Sequence, residues 1–219
     1  MYGGEALVLG GCEMIVGLMA LCRFPYYVRC LDSLCELVDK VYLRFDGITG
    51  DYRLYEAAPG ICGNKFGSMF IGNTIWNAYN WREELLRSID DVKPELVLFP
   101  DEDEIFGLGI EDDIRRFMKS DKQQLAFNYQ HPAPTVDGWE HKKPYPSAPH
   151  IKAYKWKEGL TYIPYKKRAS LSNYGKLNFK LAKSKILHYC FYTPELRKNK
   201  LWSCPEKKEW ARKIAKKQK

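Results

Sequence analysis

The chain has 219 residues, enough for one substantial domain with its own hydrophobic core. Hydrophobic residues make up 45% of it, which suits a folded protein and excludes a disordered one. The formal net charge is +8, and ten Lys/Arg against two Glu from Arg197 to Lys219 supply all of it. The remainder is balanced in charge, which argues against a protein whose whole surface binds nucleic acid.

Hydropathy and cysteine usage indicate a cellular compartment. No apolar stretch approaches the roughly 20 residues that a membrane-spanning helix needs. The N-terminal residues lack a basic segment before an apolar run, so we expect a cytoplasmic protein rather than a secreted one. Seven cysteines, irregularly spaced and without a C-x-x-C pair, predict buried free thiols in a reducing environment.

Short apolar runs alternate with helical periodicity along the first half of the chain. Strands are predicted at residues 14–20, 41–45, 68–71 and 95–100, and helices at residues 25–39 and 73–91. Strand–helix–strand alternation predicts an α/β fold of Rossmann type, with a mostly parallel central sheet flanked by helices.

The second half is less regular. A helix is predicted at 110–118, strands at 124–129 and 186–192, and a hairpin of strands 151–156 and 160–164 around Glu158-Gly159 as a small antiparallel element. Residues 131–149 contain five prolines and little periodicity, and long irregular loops of this kind often carry function. A basic helical tail follows Pro194.

The acidic run Asp101-Glu102-Asp103-Glu104 directly follows the apolar run 96–99. Four adjacent carboxylates repel one another, and a hard divalent cation such as Mg²⁺ or Mn²⁺ removes that repulsion. The carboxyl ends of strands are also where α/β sheets bind their ligands. A metal–nucleotide site and a solvated acidic loop before the next helix both fit this run.

Four other short motifs accompany the acidic run. They are Asp46-Gly47 after a predicted strand, Trp81-Arg82 on a predicted helix, His188-Tyr189 on a late strand, and Pro194-Glu195-Leu196-Arg197 at the start of the last helix. In this order the motifs resemble the metal-dependent glycosyltransferases of GT-A fold, in particular the family-2-like group with a D-x-D-E motif. The resemblance extends over most of the chain. It departs at Cys22-Arg23, where that group often has Asn-Glu.

The resemblance implies a site for Mn²⁺ or Mg²⁺ and for a UDP- or GDP-linked sugar. The metal would be held by Asp101, Asp103 and His188, and the nucleotide-sugar by Asp46, Arg82 and Asp101. Arg23 is a further phosphate candidate from its own position at the end of the first predicted strand, not from the resemblance. Glu104 would orient its neighbours, and Glu102 would point away if the run is extended, because alternate side chains of an extended chain face opposite sides. From the residues alone, Asp46 also fits a turn former, Arg82 an exposed helix charge, and His188 a hydrogen-bonded core histidine.

A general base for an inverting transfer is sought in the irregular segment. Asp137 and Glu140 are the catalytic candidates there besides Asp103 and Glu104, and His131, His141 and His150 are alternatives that the sequence does not separate. Trp139, Tyr145 and Tyr129 could stack on sugar rings, although packing accounts for them equally well.

The leading functional prediction is therefore transfer of a sugar from a nucleotide-sugar donor to a glycan, lipid-linked or protein acceptor. A nucleotidyltransferase-like enzyme is the first alternative, since it also uses paired acids, and a nucleic-acid-binding module is the second. We expect one catalytic domain over 1–204, with a nucleotide half at about 14–104, an acceptor half at about 105–204, and a basic helical tail over 205–219. No nucleic-acid partner is expected.

The tail predicts peripheral contact with an anionic membrane, because Trp210 and Ile214 share one helix face amid seven basic residues. Each basic residue near an anionic surface contributes about 1 kcal/mol. Co-sedimentation with anionic liposomes should therefore be stronger for the full chain than for a version that ends at Cys204. Equal binding by the two, or no binding by either at low salt, would assign the basic charge another role.

Overall fold

A computed structural model describes residues 14–21, 27–47, 52–72, 78–130, 132–135, 138–141, 149–165, 168–171 and 178–188. Eight strands form one sheet in the order β3-β2-β1-β4-β9-β6-β12-β5. Four of its strand pairs are parallel, and the pairs β4–β9, β6–β9 and β5–β12 are antiparallel. The prediction of an α/β fold with a mostly parallel sheet is confirmed, and it is consistent with a GT-A-like, Rossmann-type architecture.

The elements of the first half lie close to their predicted positions. They are β1 (Ile15–Leu21), α1 (Tyr27–Leu37), β2 (Lys40–Asp46), α2 (Tyr52–Cys62), β3 (Phe66–Gly72), α3 (Ala78–Arg87) and β4 (Leu96–Leu98). Only α2 was not anticipated, since Pro59 and Gly60 near its end disfavour a helix. Burial of Ala58 and Cys62 in the core accounts for it, because packing overrides local propensity.

The second half comprises β5 (Glu104–Phe106), α4 (Ile110–Met118), β6 (Gln124–Gln130), β7 (Pro132–Thr135), β8 (Gly138–His141), β9 (His150–Lys155), β10 (Tyr162–Tyr165), β11 (Arg168–Leu171) and β12 (Phe179–His188). The predicted hairpin of 151–156 with 160–164 is wrong. Strand β9 instead lies between β4 and β6 in the main sheet, and β10 pairs with β11. Strands β7 and β8 form a second small antiparallel pair.

The sheet is buried on both faces. Along β1, Val16 and Leu18 belong to one hydrophobic cluster and Met19 and Leu21 to the other, as alternation in a strand requires. Helices α1, α2 and α4 pack against one face, and α3 covers the other. Cys30, Cys35 and Cys62 are buried free thiols, as predicted. Among the described residues, no helix is long and apolar enough to cross a membrane.

Strand directions bring one end of each strand of the main sheet to a common edge. The carboxyl ends of β2, β4, β6 and β12 meet there, because these strands run in the same direction. The antiparallel strands β9 and β5 bring their first residues to that edge. This edge, here called the carboxyl edge, therefore collects Asp46, Asp101–Glu104, Tyr129, His150–Lys152 and His188.

A buried arginine connects β2 to α3, the helix that carries Arg82. The Arg44 side chain is fully buried, its Nε lies 2.5 Å from Glu84 Oε2, and its guanidinium lies 4.5 Å from the Trp81 ring centre. A Cβ at Gly72 would approach that guanidinium to 2.1 Å. Gly72 on the neighbouring β3 therefore leaves the space that Arg44 occupies.

The buried carboxylate of Asp113, on α4, accepts hydrogen bonds from an irregular part of β12. The register of β12 on β6 shifts between Leu181 and Lys185. The backbone N–H groups of Lys183 and Ser184 donate to the Asp113 carboxylate at 3.1 and 2.7 Å, and Arg116 donates to it at 2.6 Å. Burial raises the pKa of Asp113, but these donors lower it more, so the net shift is downward. Asp113 thus fixes the strand that carries His188.

Asp113→Asn should lower the free energy of unfolding by about 1.5–3 kcal/mol, the range for hydrogen bonds to a charged group. The pKa of Asp113 is lower in the folded state than in the unfolded state. Its contribution to the free energy of unfolding is therefore fully present above the ordinary pKa of Asp, about 4, and is lost as the pH falls through the pKa of the folded state. Urea unfolding across this range measures both effects.

Asp112→Asn is the matched control, since Asp112 makes the equivalent pair with Arg115 but is 61% exposed. It should change stability by less than about 0.5 kcal/mol. Equal losses in the two variants would contradict the role assigned to Asp113.

Candidate functional site

The acidic run forms a turn rather than an extended segment. The Glu104 N–H donates to the Asp101 carbonyl at 3.1 Å, and the Asp101 N–H donates to the Glu104 carboxylate at 2.8 Å. The reasoning that placed Glu102 on an opposite face of an extended run is therefore wrong, and Glu102 is half-buried in this turn. The turn directs Asp103 and Glu104 inward, with their side chains 10% and 1% exposed.

Lys152, on β9, contacts two carboxylates of this turn, although the sequence does not single it out. Lys152 Nζ is 2.8 Å from Asp101 Oδ2 and 2.8 Å from Glu104 Oε2, and the Lys152 side chain is only 3% exposed. Arg82 lies on the other side of Asp101, with Nη2 3.0 Å from Oδ1. Both oxygens of Asp101 thus face a cation.

The pKa values of the two carboxyl groups respond in opposite directions. Burial raises the pKa of Asp101, but the Lys152 and Arg82 charges lower it more, so the net value is well below the usual range. For Glu104, burial is the largest effect and raises the pKa, and Lys152 opposes that rise only in part. Asp101 is therefore the more firmly ionised of the two.

Asp103, Glu104 and His188 form a group with metal-ligand geometry. One potential ligand atom from each residue lies within 4.8 Å of the others. His188 Nε2 is 3.3 Å from Asp103 Oδ2, and the antiparallel pairing of β12 with β5 sets His188 opposite Glu104. Two carboxylates and an imidazole are a donor set that Mn²⁺ accepts.

Tyr129, on β6, contacts both Glu104 and His188. Its hydroxyl donates to Glu104 Oε1 in a short hydrogen bond. Its ring stacks on His150 at 3.9 Å and lies 4.7 Å from the His188 ring. Burial and the nearby carboxylates raise the pKa of the Tyr129 phenol, so it remains a donor. With 6% exposure, Tyr129 offers little ring surface to a sugar.

Arg82 is held in an aromatic setting. Its guanidinium lies 5.3 Å from the Phe99 ring centre and 6.0 Å from that of Tyr162. Its side chain is 24% exposed, so the interpretation of Arg82 as a free helix charge does not fit. Burial raises the pKa of the Tyr162 phenol to about 12, and the nearby Arg82 charge opposes that rise only in part.

The remaining predicted site residues divide into two groups. Asp46 is 2% exposed at the end of β2, on the same edge as the acidic turn. Arg23, Asp137, His131, Trp139 and Tyr145, the Pro194–Arg197 motif and the tail 205–219 lie outside the described residues or have undescribed side chains. Glu140 and His141 belong to β8, but their side chains are likewise undescribed.

The sequence does not single out Lys152 as a site residue, because its strand is predicted as half of a hairpin. One signal was present: Lys152 lies directly between the apolar residues Ile151 and Ala153 within a predicted strand. A lysine at such a position is buried only when it is paired. The identity of its partners depends on the pairing of β9 with β4 and β6, which the local sequence does not reveal.

No protein-family model matches the sequence, and no curated protein matches it. Solved structures with a similar fold include HddC from Yersinia pseudotuberculosis, 11% identical over 85% of this chain and 97% of its own, with a TM-score of 0.46. S. aureus TarS 1–349 is 17% identical over 61% of this chain and 38% of its own, with a TM-score of 0.45.

A third structure, 4-diphosphocytidyl-2C-methyl-D-erythritol synthase from Anaerococcus prevotii, is 12% identical over 65% of this chain and 71% of its own, with a TM-score of 0.42. This chain thus spans 38% of the TarS structure and larger shares of the other two.

Tyr129→Phe should lower the free energy of unfolding by about 1.5–3 kcal/mol near neutral pH, because it removes a donor from a buried carboxylate. The loss should shrink in acid, where Glu104 is protonated and its hydrogen bond is the weaker neutral kind. Chemical denaturation of the wild type and the variant, near neutral pH and in acid, measures the loss at each pH.

Tyr52→Phe is the control, since Tyr52 is 55% exposed and should respond by less than about 0.5 kcal/mol. A Tyr129→Phe effect as small as that of the control would show that the Tyr129 hydroxyl contributes nothing to the site.

Proposed function

We propose that the protein is a metal-dependent glycosyltransferase that moves a sugar from a nucleotide-sugar donor to a glycan, lipid-linked or protein acceptor. The observation that carries this proposal is the approach of Asp103, Glu104 and His188 to within 4.8 Å at the carboxyl edge of an α/β sheet. Ligands of open α/β sheets bind at this edge. A clustered oxygen and imidazole donor set at that place suits a metal–diphosphate complex.

The chemistry of the donor explains the need for such a cluster. Cleavage of a nucleotide-sugar leaves a nucleoside diphosphate whose developing negative charge must be stabilised. A divalent ion supplies that stabilisation as a Lewis acid and template. In this chain Asp103 and His188 would hold it, with Glu104 beside them. Asp101 was predicted as a further ligand, and its two cationic neighbours favour a positioning role instead.

The other side chains have roles that follow from their positions. Arg82 is close to Asp101 and partly exposed, so it can contact a donor phosphate while keeping the acidic turn in place. Asp46, at the end of β2, is proposed to accept a hydrogen bond from the nucleobase or the ribose. Arg23 is proposed as a further phosphate contact.

The acceptor side is proposed to include Asp137 and Glu140 as general-base candidates. His150 becomes a stronger alternative than the sequence suggested, because its ring stacks on Tyr129 within the network of Glu104. We further propose one catalytic domain over 1–204, in two halves that meet near 104–105, and a tail over 205–219 that contacts anionic membrane.

Nucleoside diphosphate binding should depend on Mn²⁺, with UDP tested first and GDP second. Calorimetry of the full chain should give much tighter binding with Mn²⁺ than with a chelator, because the carboxylates repel an unaccompanied diphosphate. Equal affinity under both conditions would count decisively against the proposal.

The reaction itself is distinguished by its products. Incubation with a panel of nucleotide-sugars should release a nucleoside diphosphate if the enzyme transfers sugar. Release of pyrophosphate from a nucleoside triphosphate and a sugar phosphate would instead assign a nucleotidyltransferase. Neither release across the panel, together with nucleic-acid binding, would assign a binding module.

Asp103→Asn should remove most turnover, since it deletes an anionic metal ligand at an unchanged volume. Thermal stability of the metal-free protein should hold or rise, because the substitution also relieves repulsion from Glu104. Glu102→Gln is the matched control, because it removes one charge from the same turn at a residue outside the Asp103–Glu104–His188 group. Normal turnover in Asp103→Asn would end the catalytic assignment, and a collapse of stability would favour a structural role.

A further inference from the structure

Lys152 is a feature of the site that neither the motif nor the proposed reaction requires. It comes from β9, a strand antiparallel to both of its neighbours, and its ammonium is 2.8 Å from a carboxylate oxygen of both Asp101 and Glu104. Its side chain is 3% exposed, so water does little to solvate this charge. A buried lysine in two ion pairs places a positive charge directly beside the carboxylates of the site.

The charge balance shows what that ammonium does to the site. Asp101, Asp103 and Glu104 bring three carboxylates to the site, and Arg82 and Lys152 bring two cations that pair with Asp101 and Glu104. The net charge from these five groups is close to −1, which attracts a divalent cation far less than three uncompensated carboxylates would. Lys152 also occupies Glu104 Oε2, while Tyr129 occupies Oε1.

We propose that Lys152 is a resident counter-cation that keeps the metal affinity of the Asp103–Glu104–His188 group low until a diphosphate arrives. A bound nucleoside diphosphate adds negative charge beside the group and restores the attraction for the metal. This inference rests on the proposed function, because it takes the metal and the diphosphate to be ligands of one site. It makes Lys152 a positioning residue that acts through Asp101 and Glu104.

A counter-cation role and a purely structural role of Lys152 predict opposite changes in metal affinity when Lys152 is replaced. If Lys152 only stabilises the turn, its loss should loosen the site and weaken metal binding. If it acts as a counter-cation, its loss should make metal binding tighter in the absence of nucleotide. Removal of one adjacent unit charge changes the affinity of a neighbouring charged group by about tenfold or more.

The experiment measures Mn²⁺ binding to the full chain by calorimetry or by electron paramagnetic resonance, alone and with UDP or GDP. Lys152→Met should tighten binding of Mn²⁺ alone by about tenfold or more and reduce the enhancement by nucleotide. Lys152→Arg should keep the wild-type behaviour, since it retains the charge. Lys155→Met is the matched control: Lys155 is on the same strand but donates to the carbonyls of Met118 and Ser120.

Unchanged or weaker binding of Mn²⁺ alone in a folded Lys152→Met protein would overturn the proposal. If that variant does not fold, Arg82→Gln removes the other cation from a partly exposed position, and it must then tighten binding of Mn²⁺ alone. Lys152→Met could bind Mn²⁺ alone more tightly while UDP and GDP fail to enhance Mn²⁺ binding by the wild type. That result would support the charge role of Lys152 and overturn the nucleotide-sugar assignment. If no protein binds Mn²⁺ under any condition, both proposals fail.

Discussion

Three carboxylates brought together at the end of a sheet repel one another, and the site exists only because that repulsion is compensated. The compensation comes from opposite sides of Asp101, from Arg82 on α3 and from Lys152 on β9. Lys152 matters most, because it also reaches Glu104, the most deeply buried acid of the turn. Burial of a carboxylate to 1% exposure is costly unless the group is paired, and Lys152 supplies that pairing.

The same requirement explains why so much of the fold converges on this edge. Arg82 can reach Asp101 only if α3 is held in place, and the ion pair of the buried Arg44 with Glu84 connects that helix to β2. His188 can face Asp103 only if β12 keeps its register beside β5, and Asp113 fixes the irregular part of β12. Elements far apart in sequence thus act on one small group of side chains.

The architecture also separates stability from chemistry. Both hydrophobic clusters lie on the faces of the sheet, where α1, α2 and α4 cover one side and α3 the other. The polar groups lie at the end of the strands, outside these layers. A sheet buried on both faces can therefore hold charged residues at its edge without interrupting its core.

Local sequence was enough to predict the α/β class, most strand and helix positions and the place of the acidic run at a strand end, because hydrophobic periodicity and strand-end acids are properties of contiguous residues. It also singled out Arg82 and His188, which the structure places beside that turn. It did not reveal α2, the extended acidic run was wrong, and β9 was assigned to the wrong partner. Only the tertiary structure inserts β9 between β4 and β6 and so places Lys152 between Asp101 and Glu104. The physical reason is that strand pairing and charge compensation depend on residues about 50 positions apart in the chain, and no local pattern of side chains encodes which of them meet.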